Sequence, residues 1–216
     1  MSPRDVLDRL RDRYSAAHAY KDMGRVVATS GASRGEGATA SWFRTSFIRT
    51  VGRFSFDFGD STESKYRIRT EQMKIVDCSE SVGSAASLGR GLGSLAGVTS
   101  GASHTVPRML LPERVPGRCI TDAEQPSLLE DADVEEETCW TVDVSSPGKS
   151  GTVVYVSKND FTLRRVWTRV HLSDAVKAIA RARGVAIPDE FDVIQIVTYA
   201  PEIRADAMSP DQIGGW

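Results

Sequence analysis

Residues 46–56 read Ser46-Phe47-Ile48-Arg49-Thr50-Val51-Gly52-Arg53-Phe54-Ser55-Phe56. Side chains alternate across an extended chain, so Phe54, Phe56 and Phe58 share one face while Arg53, Ser55 and Asp57 share the other. That pattern is a half-buried strand, and Gly52 marks the turn into it. Outward from it, Ala38 to Arg49, Arg53 to Phe58, Ser64 to Thr70 and Gln72 to Asp77 read as extended segments. Gly, Asp and Ser turns mostly separate them, the rhythm of an antiparallel meander.

Upstream, Val6, Leu7, Leu10, Tyr14 and Ala17 recur at three- and four-residue spacing, with Ser2 as cap and Pro3 in the first turn. This predicts an amphipathic helix over 3–20, with strands from about 23 to 77. Between Ser79 and Gly101 the composition turns to Ser, Ala, Gly and Leu, with Leu88, Leu92 and Leu95 at helical spacing, and His104 to Leu111 adds a short piece, giving a helical segment over about 83–111. Each glycine in such a helix costs about 0.5–1 kcal/mol relative to Ala, so the segment draws its order from packing. A polar loop (123–133) leads into strands over 136–172, a helical insert at 173–183 capped by Ser173, and a final strand over 190–200.

The chain has 216 residues, 27 Lys and Arg against 29 Asp and Glu, and 40% apolar residues. That length suits one domain with an ordinary core, so residues 1–216 are read as a single domain. A net charge of -2 argues against the broad basic surface that nucleic acid demands. No stretch approaches the roughly 20 apolar residues of a membrane span, and the start lacks the apolar core of an export signal. The expected place is therefore periplasmic or secreted for a trimmed mature chain and cytoplasmic for a complete one.

Gly31, Gly35 and Gly37 follow the apolar run Val26-Val27-Ala28 and resemble the phosphate loop of short-chain dehydrogenases. That chemistry requires a helix next, whose N-terminus holds the pyrophosphate. Instead the chain continues Ala38-Thr39-Ala40-Ser41-Trp42-Phe43, which is rich in β-formers. No lysine stands four residues after any tyrosine, so the proton-donating Tyr-x-x-x-Lys of that family is missing. An NADP-dependent reductase stays as the enzymatic alternative; the leading expectation is no catalysis and no cofactor.

Other chemistry is sparse. His18, His104 and His171 lie far apart, and the acidic run Asp131, Asp133, Glu135, Glu136 and Glu137 suits a solvated strand edge better than a metal loop. Cys78, Cys119 and Cys139 form no metal-ligand pattern. Cys119 and Cys139 can pair in an oxidising compartment; otherwise all three are small buried hydrophobes.

The order of helix, meander, small-residue segment, further strands and final strand, with the Ser46–Phe56 run inside it, resembles the outer-membrane lipoprotein carrier and lipoprotein-sorting family. Ser94 to Gly101 and Thr105 to Pro112 look like the mid-chain helical segment of divergent bacterial members. Thr138 to Val142 and Tyr155 to Val166 look like the later hairpin. With Gly52, Phe54 and Phe56 aligned, Arg49 meets the family's strand arginine through a one-residue bulge.

The resemblance implies a mainly β fold: an unclosed antiparallel β-barrel, a curved sheet, with an N-terminal helix and a helical lid over its open side. It implies an apolar cavity for the acyl chain of a lipid or lipoprotein, with an inner-membrane release complex or an outer-membrane acceptor as protein partners. Phe43, Phe47, Phe54, Phe56 and Phe58, with Leu92 and Leu95 from the lid, are the expected lining. Arg49, which shares a strand face with Phe43, Thr45 and Phe47, is the residue expected to bond the lid. A scaffold that kept the fold and filled the cavity is the remaining alternative.

Overall fold

The computed structural model of the chain describes residues 1–30, 39–60, 63–80, 87–146, 151–172, 174–184 and 192–206. Helix α1 (Pro3–Ser15) starts where the sequence says it should. Ser2 Oγ accepts from the Asp5 amide at 3.1 Å and the Asp5 carboxylate accepts from the Ser2 amide at 3.0 Å, a reciprocal cap that satisfies two otherwise orphaned donors. The expected run to residue 20 is cut short. Ala19 already pairs with Ile48 and Arg204, so strand pairing overrides a helical pattern that Ala17 still fits.

Strands β1 (Ala19–Ser30), β2 (Thr39–Ile48), β3 (Arg53–Gly59), β4 (Ser64–Glu71) and β5 (Lys74–Cys78) form the expected antiparallel meander. Helices α2 (Leu88–Leu95) and α3 (Ala102–Leu110) follow. Then come β6 (Ser127–Leu128), β7 (Ala132–Val134), β8 (Glu137–Asp143), β9 (Gly151–Ser157), β10 (Leu163–His171), helix α4 (Asp174–Ala182), β11 (Asp192–Thr198) and β12 (Glu202–Arg204). The polar stretch read as loop thus holds two short edge strands, β6 and β7, and β12 extends the expected final strand. The sheet runs β5-β4-β3-β2-β1-β11-β10-β9-β8-β6, with β12 beside β1 and β7 beside β8. Its two ends do not meet, so this is a mainly β, unclosed antiparallel sheet.

One face of the sheet carries the core. Val26, Val197, Val166, Val154 and Val142 stand in register across β1, β11, β10, β9 and β8, and all are buried. On the other half, Phe43 faces Phe58, Thr45 faces Phe56 and Phe47 faces Phe54 across β2 and β3. Helices α1, α2 and α3 cover this face, with α1 packed on α3 and α2 on α3 and β4. Leu7, Leu10, Leu92 and Met109 are its aliphatic cover, each worth about 1.5–3 kcal/mol when removed from water. Tyr14 also anchors α1 to the sheet, because its hydroxyl accepts from the Leu163 amide at 3.1 Å.

Candidate functional site

The aromatic floor is built by register. Phe43 and Phe56 stack at 6.3 Å between centroids, and Tyr199 meets Phe43 edge-on at 5.4 Å. Gly24 makes this possible: a Cβ there would sit 2.1 Å from the Phe43 ring. Above the floor, α2 contributes Leu88, Leu92 and Leu95 from a face that also holds Gly89 and Gly91. Gly89 allows close approach, since a Cβ would lie 2.5 Å from the Arg114 carbonyl oxygen, whereas a Cβ on Gly93 or Gly97 would meet nothing within 4 Å. Gly93, inside α2, serves no packing need and lowers the helix's own forming tendency, while Gly97 lies in the turn that follows. Buried Ser103 joins α3 to α2 by donating to the Leu92 carbonyl at 2.9 Å.

Arg49 stands one residue beyond the end of β2, its backbone amide bound to the His18 carbonyl. Its guanidinium lies over the Phe47 ring at 5.1 Å. Nε donates to the Ala17 carbonyl at 2.9 Å, and Nη2 donates to the carbonyls of Ser15 at 2.9 Å and Leu110 at 3.1 Å. Ser15 ends α1 and Leu110 ends α3, so a cation sits against the carbonyl-rich, partly negative ends of two helices. The side chain is at the rim of the core rather than inside it.

All seven expected apolar residues, Phe43, Phe47, Phe54, Phe56, Phe58, Leu92 and Leu95, belong to one continuous buried cluster, and none is more than 6% exposed. The concave side is therefore filled by side chains. The described clefts open elsewhere. One of about 570 Å³ lies beside Lys21, Met23, Arg44 and Ser55, and one of about 330 Å³ beside Arg118, Cys119, Ile120 and Val144.

A buried polar group on the core face was missed in the sequence reading. Asp22 is 3% exposed on the core face of β1, with Oδ2 accepting from the Tyr20 hydroxyl at 2.9 Å and Oδ1 from the Ala200 amide at 2.8 Å. Burial pushes its carboxyl up to about 6 against the hydrogen bonds that hold it down. Burial also raises the hydroxyls of Tyr14, Tyr20 and Tyr199 around it. The alternation Tyr20, Asp22, Gly24, Val26 carried the signal, since it sets a carboxylate among core positions.

Cys119 and Cys139 are both free and buried. Val142 and its ladder occupy the core face of β8, so Cys139, three residues away, points to the other face, while Cys119 lies in the core cluster. The sheet separates the two thiols. The reductase alternative falls. Its glycine loop at 31–37 lies outside the described residues, but β2 follows it as a strand antiparallel to β1, where a dinucleotide site requires a helix. Among the described residues no group of three or more His, Cys, Asp or Glu is placed to hold a metal ion, and no helix is long and apolar enough to cross a membrane. The acidic run forms the β7 edge and its turn, where Glu137 pairs with Arg164 at 2.7 Å.

No family model matches the chain, and no curated protein sequence does. In structure it is similar to a chain of the Pseudomonas aeruginosa MucA/MucB complex, at 8% identity and TM-score 0.48 over 98% of this chain and 60% of that one. This chain thus spans about 60% of that relative's length. It is also similar to a LolA superfamily protein from Nitrosomonas europaea, at 8% identity and TM-score 0.34 over 99% of this chain and 97% of that one. A third likeness is to the Mycobacterium tuberculosis lipoprotein LppX, at 10% identity and TM-score 0.40 over 91% and 93%. At these identities the likeness is one of backbone arrangement alone.

Proposed function

We propose that the chain is a non-enzymatic binding protein for the acyl chain of a lipid or lipoprotein, and that the closed arrangement is its empty state. The observation that carries this reading is Arg49, which holds the ends of α1 and α3 over a phenylalanine-rich floor through hydrogen bonds to main-chain carbonyls. Such bonds break and reform without leaving a buried charge, because the guanidinium is already half-exposed. Displacing α2 and α3 uncovers Phe43, Phe47, Phe54 and Phe56, a concave apolar surface of the kind that takes an alkyl chain. The ligand then replaces the contacts the lid gave up.

A periplasmic or secreted setting follows from this reading, as do a membrane complex that loads or releases the ligand and an acceptor at another membrane. The test is titration of delipidated protein with a fluorescent fatty-acyl probe. Saturable binding with a blue-shifted probe supports the proposal; no binding up to probe solubility refutes it. A second reading, a scaffold whose concave side is permanently filled, draws on the complete burial of the same phenylalanines and predicts that null result.

A further inference from the structure

We propose that the convex face of the sheet, across β9, β10, β11, β1 and β2, docks an acidic polypeptide segment that also carries apolar side chains. The proposal does not depend on what the concave face binds.

One residue out of step with the buried valine ladder, Val27, Ile196, Trp167 and Val153 stand in register on the opposite face. All four are half-buried. A one-sided antiparallel sheet alternates apolar with polar residues, whereas strands covered on both faces read as continuous apolar runs. β9 carries Val153-Val154-Tyr155-Val156 and β11 carries Val193-Ile194, then Ile196-Val197. These are sequences of doubly covered strands, yet the described residues leave one face half-open.

The next row across the same strands is Trp42, Arg25, Thr198, Arg165 and Tyr155. Trp, Tyr and Arg are the residue types that dominate the energetics of protein interfaces. Arg165 stacks over Tyr155 at 5.6 Å, and its Nε is buried with no hydrogen-bond partner. Neither Arg25 nor Arg165 takes part in an ion pair among the described residues. Two such cations flanking Thr198 select an anionic partner. They disfavour a second copy, which would set arginine against arginine. The two arginines are two strand spacings apart, roughly 10 Å. Carboxylates three residues apart on a polyproline-like chain span about the same distance, at about 3.1 Å per residue.

The test uses the full chain and two fluorescein-labelled peptides, (Pro-Glu-Leu)4 and (Pro-Lys-Leu)4, read by anisotropy. Saturable binding of the acidic peptide alone, weakening with added salt, is expected. Arg25→Glu with Arg165→Glu is expected to weaken it by about tenfold or more. Arg25→Glu alone, at an exposed position, gives the same direction if the double variant does not fold. Absence of acidic-peptide binding, equal binding of both peptides, or indifference to charge reversal overturns the proposal. So does a dimer in sedimentation that the double variant dissolves, or binding to phosphatidylglycerol vesicles without binding to the peptide.

Discussion

Arg49 Nη2 and the carbonyl of Leu110 are 3.1 Å apart across 61 positions of sequence. The bond joins the turn after β2 to the last residue of α3, and the same guanidinium also holds the end of α1.

Replacing that guanidinium with an apolar chain of similar length tests its role. Arg49→Met removes three donors while keeping the contact over Phe47. For a half-exposed group this is expected to destabilise the closed state by about 1–2 kcal/mol. If the lid must open for binding, the apparent Kd for a fatty-acyl probe falls by about tenfold, because more molecules are competent. Thermal unfolding of the empty protein moves down. Unchanged affinity with a lowered Tm would make Arg49 a purely structural residue.

Gly93→Ala acts in the opposite direction. A Cβ there meets nothing, so the substitution stabilises α2 by about 0.5–1 kcal/mol. Hydrogen exchange of the α2 amides is expected to slow, and probe affinity to weaken severalfold. Faster exchange would show that the glycine has a packing role.

Asp22 gives the fold a pH dependence. Its carboxyl is raised from 3.8 to about 6, so its contribution is fullest below the unfolded value and is lost as pH rises from about 4 through 6. The loss is of order 3 kcal/mol. Asp22→Asn keeps an acceptor for the Ala200 amide and removes the titration. Its urea midpoint is expected to stay level over that window while the parent's falls. Parallel profiles would contradict the assignment.

The turn between β7 and β8 places Glu135 at φ 50° and Glu136 at φ 70°, left-handed values that suit Asn and Gly in a two-residue hairpin. Both side chains are exposed. Glu135→Asn with Glu136→Gly is expected to raise stability by about 1 kcal/mol in urea unfolding. A loss would mean the glutamates hold the acidic edge in place.

The meander was legible because alternation is a local signal: Phe54, Phe56 and Phe58 identify a strand whatever surrounds it. The end of α1 was not, since Ala17 continues the helical pattern and only the pairing of Ala19 with Ile48 stops it. β6, β7 and β12 are two or three residues long, too short to show a period. Of the candidate site, the apolar residues could be named from strand parity and helical spacing. The carbonyls that Arg49 reaches could not, because a main-chain acceptor at Leu110 has no side-chain signature.

In the proposed function an acyl chain enters beneath α2 and α3 onto the phenylalanine floor. Photolysis of delipidated protein with a diazirine-bearing fatty acid, followed by peptide mapping, tests it most directly. Adducts are expected at Phe43, Phe47, Phe54, Phe56, Leu92 or Leu95, increased by Arg49→Met. Adducts confined to the outer face around Met23 and Trp167, or none, would contradict it.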